Sequence, residues 1–176
     1  MTTSETAAAS AAFSASATGE RADILSTLQT HRYFLRHTVD GLSDEQARLT
    51  PTASELCLGG LIKHVSAIEA GWADFAERGT EAMPAVDGEP TPEVIEWFHN
   101  QFRLLPGETV AGVLAEAATG TPLVRLAVRE RPRSGPPEAL LGAAGIDAKH
   151  IVAETAQHAG HADIIRETID GQKTMG

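Results

Sequence analysis

The amino-acid sequence predicts an all-α fold, a four-helix bundle with an irregular loop region between its third and fourth helices. Four long segments carry apolar residues at spacings of three and four, and the sequence contains neither a series of alternating strands nor an internal repeat. The 176 residues, of which 42% are hydrophobic, suffice to bury one core. We expect one helical bundle over residues 21–176.

Residues 1–20 are predicted to form a flexible N-terminal tail. They are rich in Ala, Ser and Thr, a composition that buries too little apolar area to offset the entropy of ordering the segment. The alternative is a short segment strapped against the bundle.

The first helix is predicted to begin near Arg21 and to end at Gly41. Its stripe of residues at helical spacing consists of Ile24, Leu28, His31, Leu35 and Val39. In the segment that follows, Ser43 precedes Gln46 by three positions, which is the pattern of a capping box. This pattern predicts a short helical turn directly after the first helix.

The second helix is predicted over ELCLGGLIKHVSAIEAGWADFAERG, with Ser54 as its N-cap. A loop rich in proline and glycine follows it. Thr91 at the cap and Pro92 at the first helical position then begin the third helix. The Pro-Gly pair at 106–107 interrupts the helical period before ETVAGVLAEAA resumes it, so we expect a kink or a short break there.

The irregular region is TGTPLVRLAVRERPRSGPPEALLGAAGID, in which LVRLAVR resembles a strand. Four arginines of this region are interpreted as solvated loop charges, and the alternative is that they hold a carboxylate of a thiol cofactor: Arg125, Arg129, Arg131 and Arg133. No residue is therefore assigned to cofactor binding. The fourth helix is predicted to begin near Asp147 and to end at Gly171.

Charge and composition exclude several classes of partner. The net charge of −10 argues against nucleic-acid binding, which needs a basic surface. No apolar run approaches the roughly 20 residues of a membrane span, and the opening residues lack the pattern of a secretory signal. Cys57 is the single cysteine, so no intrachain disulfide can form. We expect a cytoplasmic protein with no membrane or nucleic-acid partner.

Two polar residues interrupt the apolar stripe of the fourth helix. The stripe consists of Ile151, Glu154, His158, Ala162, Ile165 and Ile169. Glutamate is rarely buried unless it is paired or coordinates something. Glu154 and His158 lie about 6 Å apart along the helix axis, and this spacing lets a carboxylate and an imidazole converge on one metal ion.

A third polar residue, His64, lies within the stripe of the second helix, beside Leu61, Ile68 and Trp72. If the second and fourth helices face each other, His64 supplies a third ligand. Two histidines and one carboxylate on one side of an ion leave its other side open to water or substrate, as in catalytic sites.

Distances along the helix separate the other histidines from this group. His150 lies about 12 Å from His158, and His161 lies about 10.5 Å from Glu154, so neither pair can share an ion. His158 with His161 is the rival pair, and a hydrogen-bonded Glu–His pair is the alternative that needs no metal. Three further histidines are interpreted as surface or packing residues: His31, His37 and His99.

His161 is the candidate catalytic residue because it lies one turn beyond His158. There it could act as a general base or hydrogen-bond a metal-bound group. The alternative is a polar residue that fills a packing defect.

Two segments resemble the DinB-like superfamily of metal-dependent helical bundles: GGLIKHVSAIEAGW (59–72) and HIVAETAQHAGHADIIRETIDG (150–171). The chain is most similar to the actinobacterial branch of mycothiol-dependent transferases and isomerases, in which a carboxylate can stand at the position of Glu154. The resemblance implies a four-helix bundle that binds a divalent metal through His64, Glu154 and His158. Zinc is the expected metal, with nickel or iron as alternatives.

The resemblance also implies an activity. A metal-stabilised thiolate, from mycothiol or a similar small thiol, attacks an electrophilic small molecule. The implied function is thus a metal-dependent thiol S-transferase, with a homodimer as a further expectation. Two alternatives are carried beside it: a non-catalytic metal-binding or stress-related module, and a metal-dependent hydrolase.

Overall fold

A computed structural model of the chain describes residues 19–78, 89–119 and 137–174. In these ranges the chain forms six α-helices and no strand. They are α1 (Glu20–His37), α2 (Asp44–Ala47), α3 (Leu58–Arg78), α4 (Pro92–Asn100), α5 (Val110–Thr119) and α6 (Pro137–Asp170). The predicted all-α fold is confirmed. The predicted tail up to residue 18, the LVRLAVR segment and its arginines lie outside the described residues.

Four of the helices build the bundle. The longest helix, α6, packs against α1 and α3, and α5 packs against α3. The main core lies between them and includes Leu35, Val39, Leu58, Leu61, Ile62, Val65, Val113 and Ile165. A smaller cluster consists of Leu25, Leu28 and Ile151. In α1 it is therefore Leu25, rather than the predicted Ile24, that occupies the buried position.

The predicted capping box after α1 is confirmed. The Ser43 side chain accepts a hydrogen bond from the Gln46 N–H, and the Gln46 side chain accepts one from the Ser43 N–H. Two otherwise unpaired donors at the start of α2 are thereby satisfied. The Asp44 carboxylate in turn accepts from the Val110 N–H at 2.8 Å, which ties this turn to the first residue of α5.

The prediction that Ser54 caps the second helix is wrong. The Ser54 hydroxyl instead accepts from the Leu56 N–H within a turn, and α3 begins at Leu58. Cys57 takes the capping position: its carbonyl accepts from the Leu61 N–H at 3.0 Å, and its sulfur accepts from the Gly60 N–H at 3.4 Å. The buried Cys57 side chain thus caps the N-terminus of this helix.

The expected interruption of the third helix is confirmed, and it is a full break. One helix ends at Asn100 and the next begins at Val110. Between them Gly107 adopts a φ of 89°, which favours glycine. The Glu108 carboxylate fixes this segment because it accepts from the Leu105 N–H and from Lys63 Nζ, both at 2.7 Å. We call residues 101–109 the break segment.

The break segment lies directly on the first turn of α3. A Cβ atom added to Gly60 would lie 1.9 Å from the carbonyl oxygen of Phe102, and one added to Gly59 would lie 2.8 Å from Leu104 Cδ2. At either position an added Cβ would force its neighbour to move, and at Gly60 that neighbour is backbone. The pair of glycines therefore permits the contact that brings Phe102 and Leu104 against α3.

The fourth bundle helix begins at Pro137, ten residues before the predicted start near Asp147. Part of the predicted irregular region is therefore helical. The segment EALLGAAGID is rich in Ala and Leu, whose helix propensity outweighs its isolated glycines. The C-terminal limit is as predicted, because Gly171 follows the last helical residue with a φ of 79°.

Arg166 joins the end of α6 to the end of α1. Its guanidinium donates to the carbonyls of Thr38 and Asp40 at 2.8 and 2.9 Å and pairs with Asp170 at 2.9 Å. The side chain is buried, and these bonds satisfy its charge. The neighbouring carboxylates of Asp163 and Glu167 bond to Thr174 and Lys173, respectively.

Candidate metal centre

Three side chains from α3 and α6 converge where these two helices pack together: His64, Glu154 and His158. Their potential ligand atoms all lie within 4.8 Å of one another. Glu154 Oε2 lies 3.4 Å from His158 Nε2 and 3.9 Å from His64 Nε2. In the described ranges of the chain, no other set of three such residues meets the same criterion. The structure thus brings together the three residues that the sequence analysis singled out.

The group lies at the edge of the core. His64 and His158 are 6% and 8% exposed, whereas the Glu154 side chain is 25% exposed. Glu154 is therefore half-buried, although its place on the apolar stripe suggested burial. Of the three side chains, the Glu154 carboxylate is the most exposed to solvent.

Burial sets the protonation state of the two histidines. Desolvation by burial and, to a smaller extent, the neighbouring His158 together lower the pKa of His64 to about 4, against an opposing effect of Glu154. The pKa of His158 is also lowered, mainly by burial. Both imidazoles are consequently neutral at neutral pH, which is the form that binds a metal.

This pKa shift has a consequence for the metal-free protein. A base with a lowered pKa in the folded state contributes stability above its unfolded-state pKa, and the contribution is lost as pH falls from 6.5 towards about 4. Between neutral pH and about pH 5, we expect wild-type protein to lose about 1–2 kcal/mol more unfolding free energy than His64→Gln. Urea unfolding of both metal-free proteins at the two pH values measures this difference. Equal losses would contradict the assigned shift.

An aromatic ring from the break segment covers His64. The centroids of the Phe102 and His64 rings lie 4.0 Å apart with an interplanar angle of 26°, and the Phe102 and His158 centroids lie 6.2 Å apart. Phe102 is not among the residues predicted from the sequence. The Pro-Gly interruption predicted that a break occurs, but no periodic signal shows where a side chain from such a break will point.

His161 contacts His158 on the far side of its ring. The two Nδ1 atoms lie 3.4 Å apart, while the Nε2 atom of His158 faces Glu154. One Nδ1 must donate and the other accept. If His158 donates, its Nε2 lone pair is free for a metal, and His161 holds the ring in that tautomer. The rival pair from the sequence analysis is thus in contact, but through the nitrogens that face away from Glu154.

His150 approaches the other oxygen of the carboxylate. Its Nε2 lies 3.6 Å from Glu154 Oε1, and its ring meets Trp72 edge-on with centroids 5.0 Å apart. It does not belong to the converging group, in agreement with the distance argument from the sequence. His150 therefore stands beside the group, where it can orient the carboxylate.

The remaining histidines occupy the predicted surface and packing positions. His31 meets Phe34 edge-on, and His37 stacks on Tyr33 with centroids 5.6 Å apart. His99 is exposed.

The donor set fits a divalent transition metal. Bonds of about 2.0–2.2 Å in a tetrahedral arrangement place neighbouring ligand atoms about 3.3 Å apart. The observed separations of 3.4 and 3.9 Å are close to that value. Imidazole and carboxylate ligands suit zinc, nickel and iron alike, so the donor set by itself does not select among them.

The fold is an all-α bundle, and two histidines and a carboxylate converge where two of its helices pack together. The protein therefore belongs to the class of helical bundles with a candidate metal centre. A sequence model of the mycothiol S-transferase family matches residues 23–171. The chain belongs to this family, which confirms the resemblance to the mycothiol-dependent, DinB-like branch. No curated protein and no solved structure gives a significant match.

None of the helices in the described ranges combines the length and apolar composition of a membrane span.

Proposed function

We propose that this protein is a divalent-metal-dependent S-transferase that uses mycothiol against an electrophilic small molecule. The observation that carries the proposal is the convergence of His64, Glu154 and His158 within 4.8 Å, in a chain that belongs to the mycothiol S-transferase family. We propose these three residues as the metal ligands and zinc as the metal, with nickel or iron as alternatives.

The bound metal would act as a Lewis acid that favours the thiolate form of the cosubstrate near neutral pH. The thiolate sulfur attacks the electrophilic carbon, and a sulfur–carbon bond forms. The bond from that carbon to the leaving group breaks, and the leaving group departs with its electron pair. The thiol proton passes to solvent or to a nearby base.

The residues around the three ligands support this chemistry in distinct ways. Phe102 covers one face of His64 and keeps water from it. His161 fixes the His158 tautomer through the contact between their Nδ1 atoms. We therefore propose His161 as a positioning residue. Its role as a general base remains a prediction from the sequence.

The experiment that tests the proposal measures loss of free mycothiol in the presence of monobromobimane. Chelator-treated protein and the same protein reloaded with zinc, nickel or iron(II) are compared. We expect thiol transfer above the uncatalysed rate only after reloading, and the most active metal identifies the cofactor. Metal binding without transfer would favour the non-catalytic module. Release of product from an ester without any thiol would favour the hydrolase.

A homodimer and a cytoplasmic location remain predictions. Sedimentation of the purified chain at several concentrations tests the first, and cell fractionation tests the second.

A further inference from the structure

α4 presents large apolar side chains to solvent. The helix contains no buried residue, and four of its residues are exposed by 44–62%: Val94, Ile95, Trp97 and Phe98. Exposed apolar patches on a small domain commonly mark a binding surface. One part of this surface, at Phe98, is connected by ring contacts to the candidate metal centre.

That part is an aromatic path from the surface to the three converging side chains. Phe98, which is 55% exposed, meets Phe102 edge-on with ring centroids 5.8 Å apart. Phe102 stacks on His64 at 4.0 Å. Contact therefore runs without interruption from exposed Phe98 through Phe102 to the imidazole of His64. We call Phe98 and Phe102 the aromatic path.

We propose that the aromatic path binds the electrophile and selects electrophiles that carry an aromatic or other flat apolar group. This inference rests on the proposed function. A flat ring placed on Phe98 and the edge of Phe102 gains stacking beyond simple area burial. Bound there, the ring would lie beside Phe102, which itself stacks on His64.

The negative charge on α4 narrows the class of electrophile further. Glu93 and Glu96 are exposed on the same short helix, and the whole chain carries a net charge of −10. An anionic electrophile would approach against this field, whereas a neutral or cationic one would not. The preferred substrate is thus a neutral or cationic aromatic electrophile.

The test compares two neutral electrophiles of different shape, monobromobimane and iodoacetamide, with mycothiol as the thiol. In both reactions the sulfur–carbon bond forms as the carbon–halogen bond breaks and the halide leaves with its electron pair. We expect Phe98→Ala to lower kcat/KM for monobromobimane about five- to tenfold, through KM. For the small iodoacetamide, the same substitution should change kcat/KM by less than about twofold.

Trp97→Ala is the matched control, since it removes a larger and more exposed ring, 62% exposed, from the same helix. We expect it to leave the ratio of the two kcat/KM values nearly unchanged. Phe98→Leu, which keeps apolar volume but removes the ring, should lie between wild type and Phe98→Ala. Metal content should equal that of wild type in all three variants, because Trp97 and Phe98 are exposed and the ring that stacks on His64 is that of Phe102.

The outcomes separate this inference from the proposed function. Equal losses for both electrophiles, or an equal effect of Trp97→Ala, would overturn the aromatic path while leaving the transferase intact. An absence of transfer to either electrophile by metal-loaded wild type would overturn the proposed function, and this inference with it.

Discussion

Replacing Glu154 by glutamine is expected to lower the rate of mycothiol transfer by about 100-fold or more. The amide keeps the size of the side chain but removes the negative charge and one of its acceptor oxygens. Glu154 Oε2 faces both imidazoles, at 3.4 and 3.9 Å, so the substitution acts on the only anionic member of the converging group.

The measurement is the initial rate of thiol loss across a titration of the metal. Weakened metal affinity shifts the titration, whereas a lost role in the reaction lowers the rate at saturation. Glu167→Gln is the control, because Glu167 lies on the same helix, is exposed and pairs with Lys173 at the surface. Rates for Glu154→Gln within about twofold of wild type at every metal concentration would refute a ligand role for this carboxylate.

Gly60→Ala is expected to destabilise the protein by about 2–3 kcal/mol. The added Cβ would lie 1.9 Å from the Phe102 carbonyl oxygen and 2.2 Å from its carbon. Both atoms belong to the backbone, so the break segment as a whole must move. The helix propensity of alanine offsets only about 1 kcal/mol of this cost.

Gly160→Ala is the matched control. Gly160 is also helical, but a Cβ there meets nothing within 4 Å, so we expect a gain of about 0.5–1 kcal/mol. Urea unfolding of both variants gives the comparison. Because the break segment carries Phe102 over His64, metal affinity should fall in Gly60→Ala alone. Equal stability of the two variants would show that the close approach is not required.

The periodic parts of the sequence predicted most of the bundle. Apolar spacing located α1, α3 and α6, and polar residues within two of these stripes identified His64, Glu154 and His158. This worked because a helix places residues at steps of three and four on one face, whatever its tertiary partners are. The Pro-Gly pair at 106–107 located the break for an equally local reason.

Features that depend on non-local contact were not predictable in the same way. Phe102 lies in an irregular segment, so its position over His64 follows from the tertiary approach of that segment to α3. The Gly59-Gly60 pair was a visible signal, since two glycines near the start of a helix cost helix propensity and indicate a close approach. The sequence did not show which segment makes that approach. Cys57 rather than Ser54 caps the helix because the Ser54 hydroxyl already accepts a hydrogen bond from the Leu56 N–H within the preceding turn, whereas the Cys57 sulfur accepts from the Gly60 N–H.

The central claim is that His64, Glu154 and His158 hold a metal, and elemental analysis of the untagged protein tests it most directly. We expect about one zinc, nickel or iron ion per chain in wild type, the same content in His31→Ala, and none in His158→Ala. His31 is the control because its ring packs against Phe34 on α1. Absence of metal from wild type, even after zinc is added, would contradict the account. Glu154 and His158 would then be a hydrogen-bonded pair within a bundle that works without a metal.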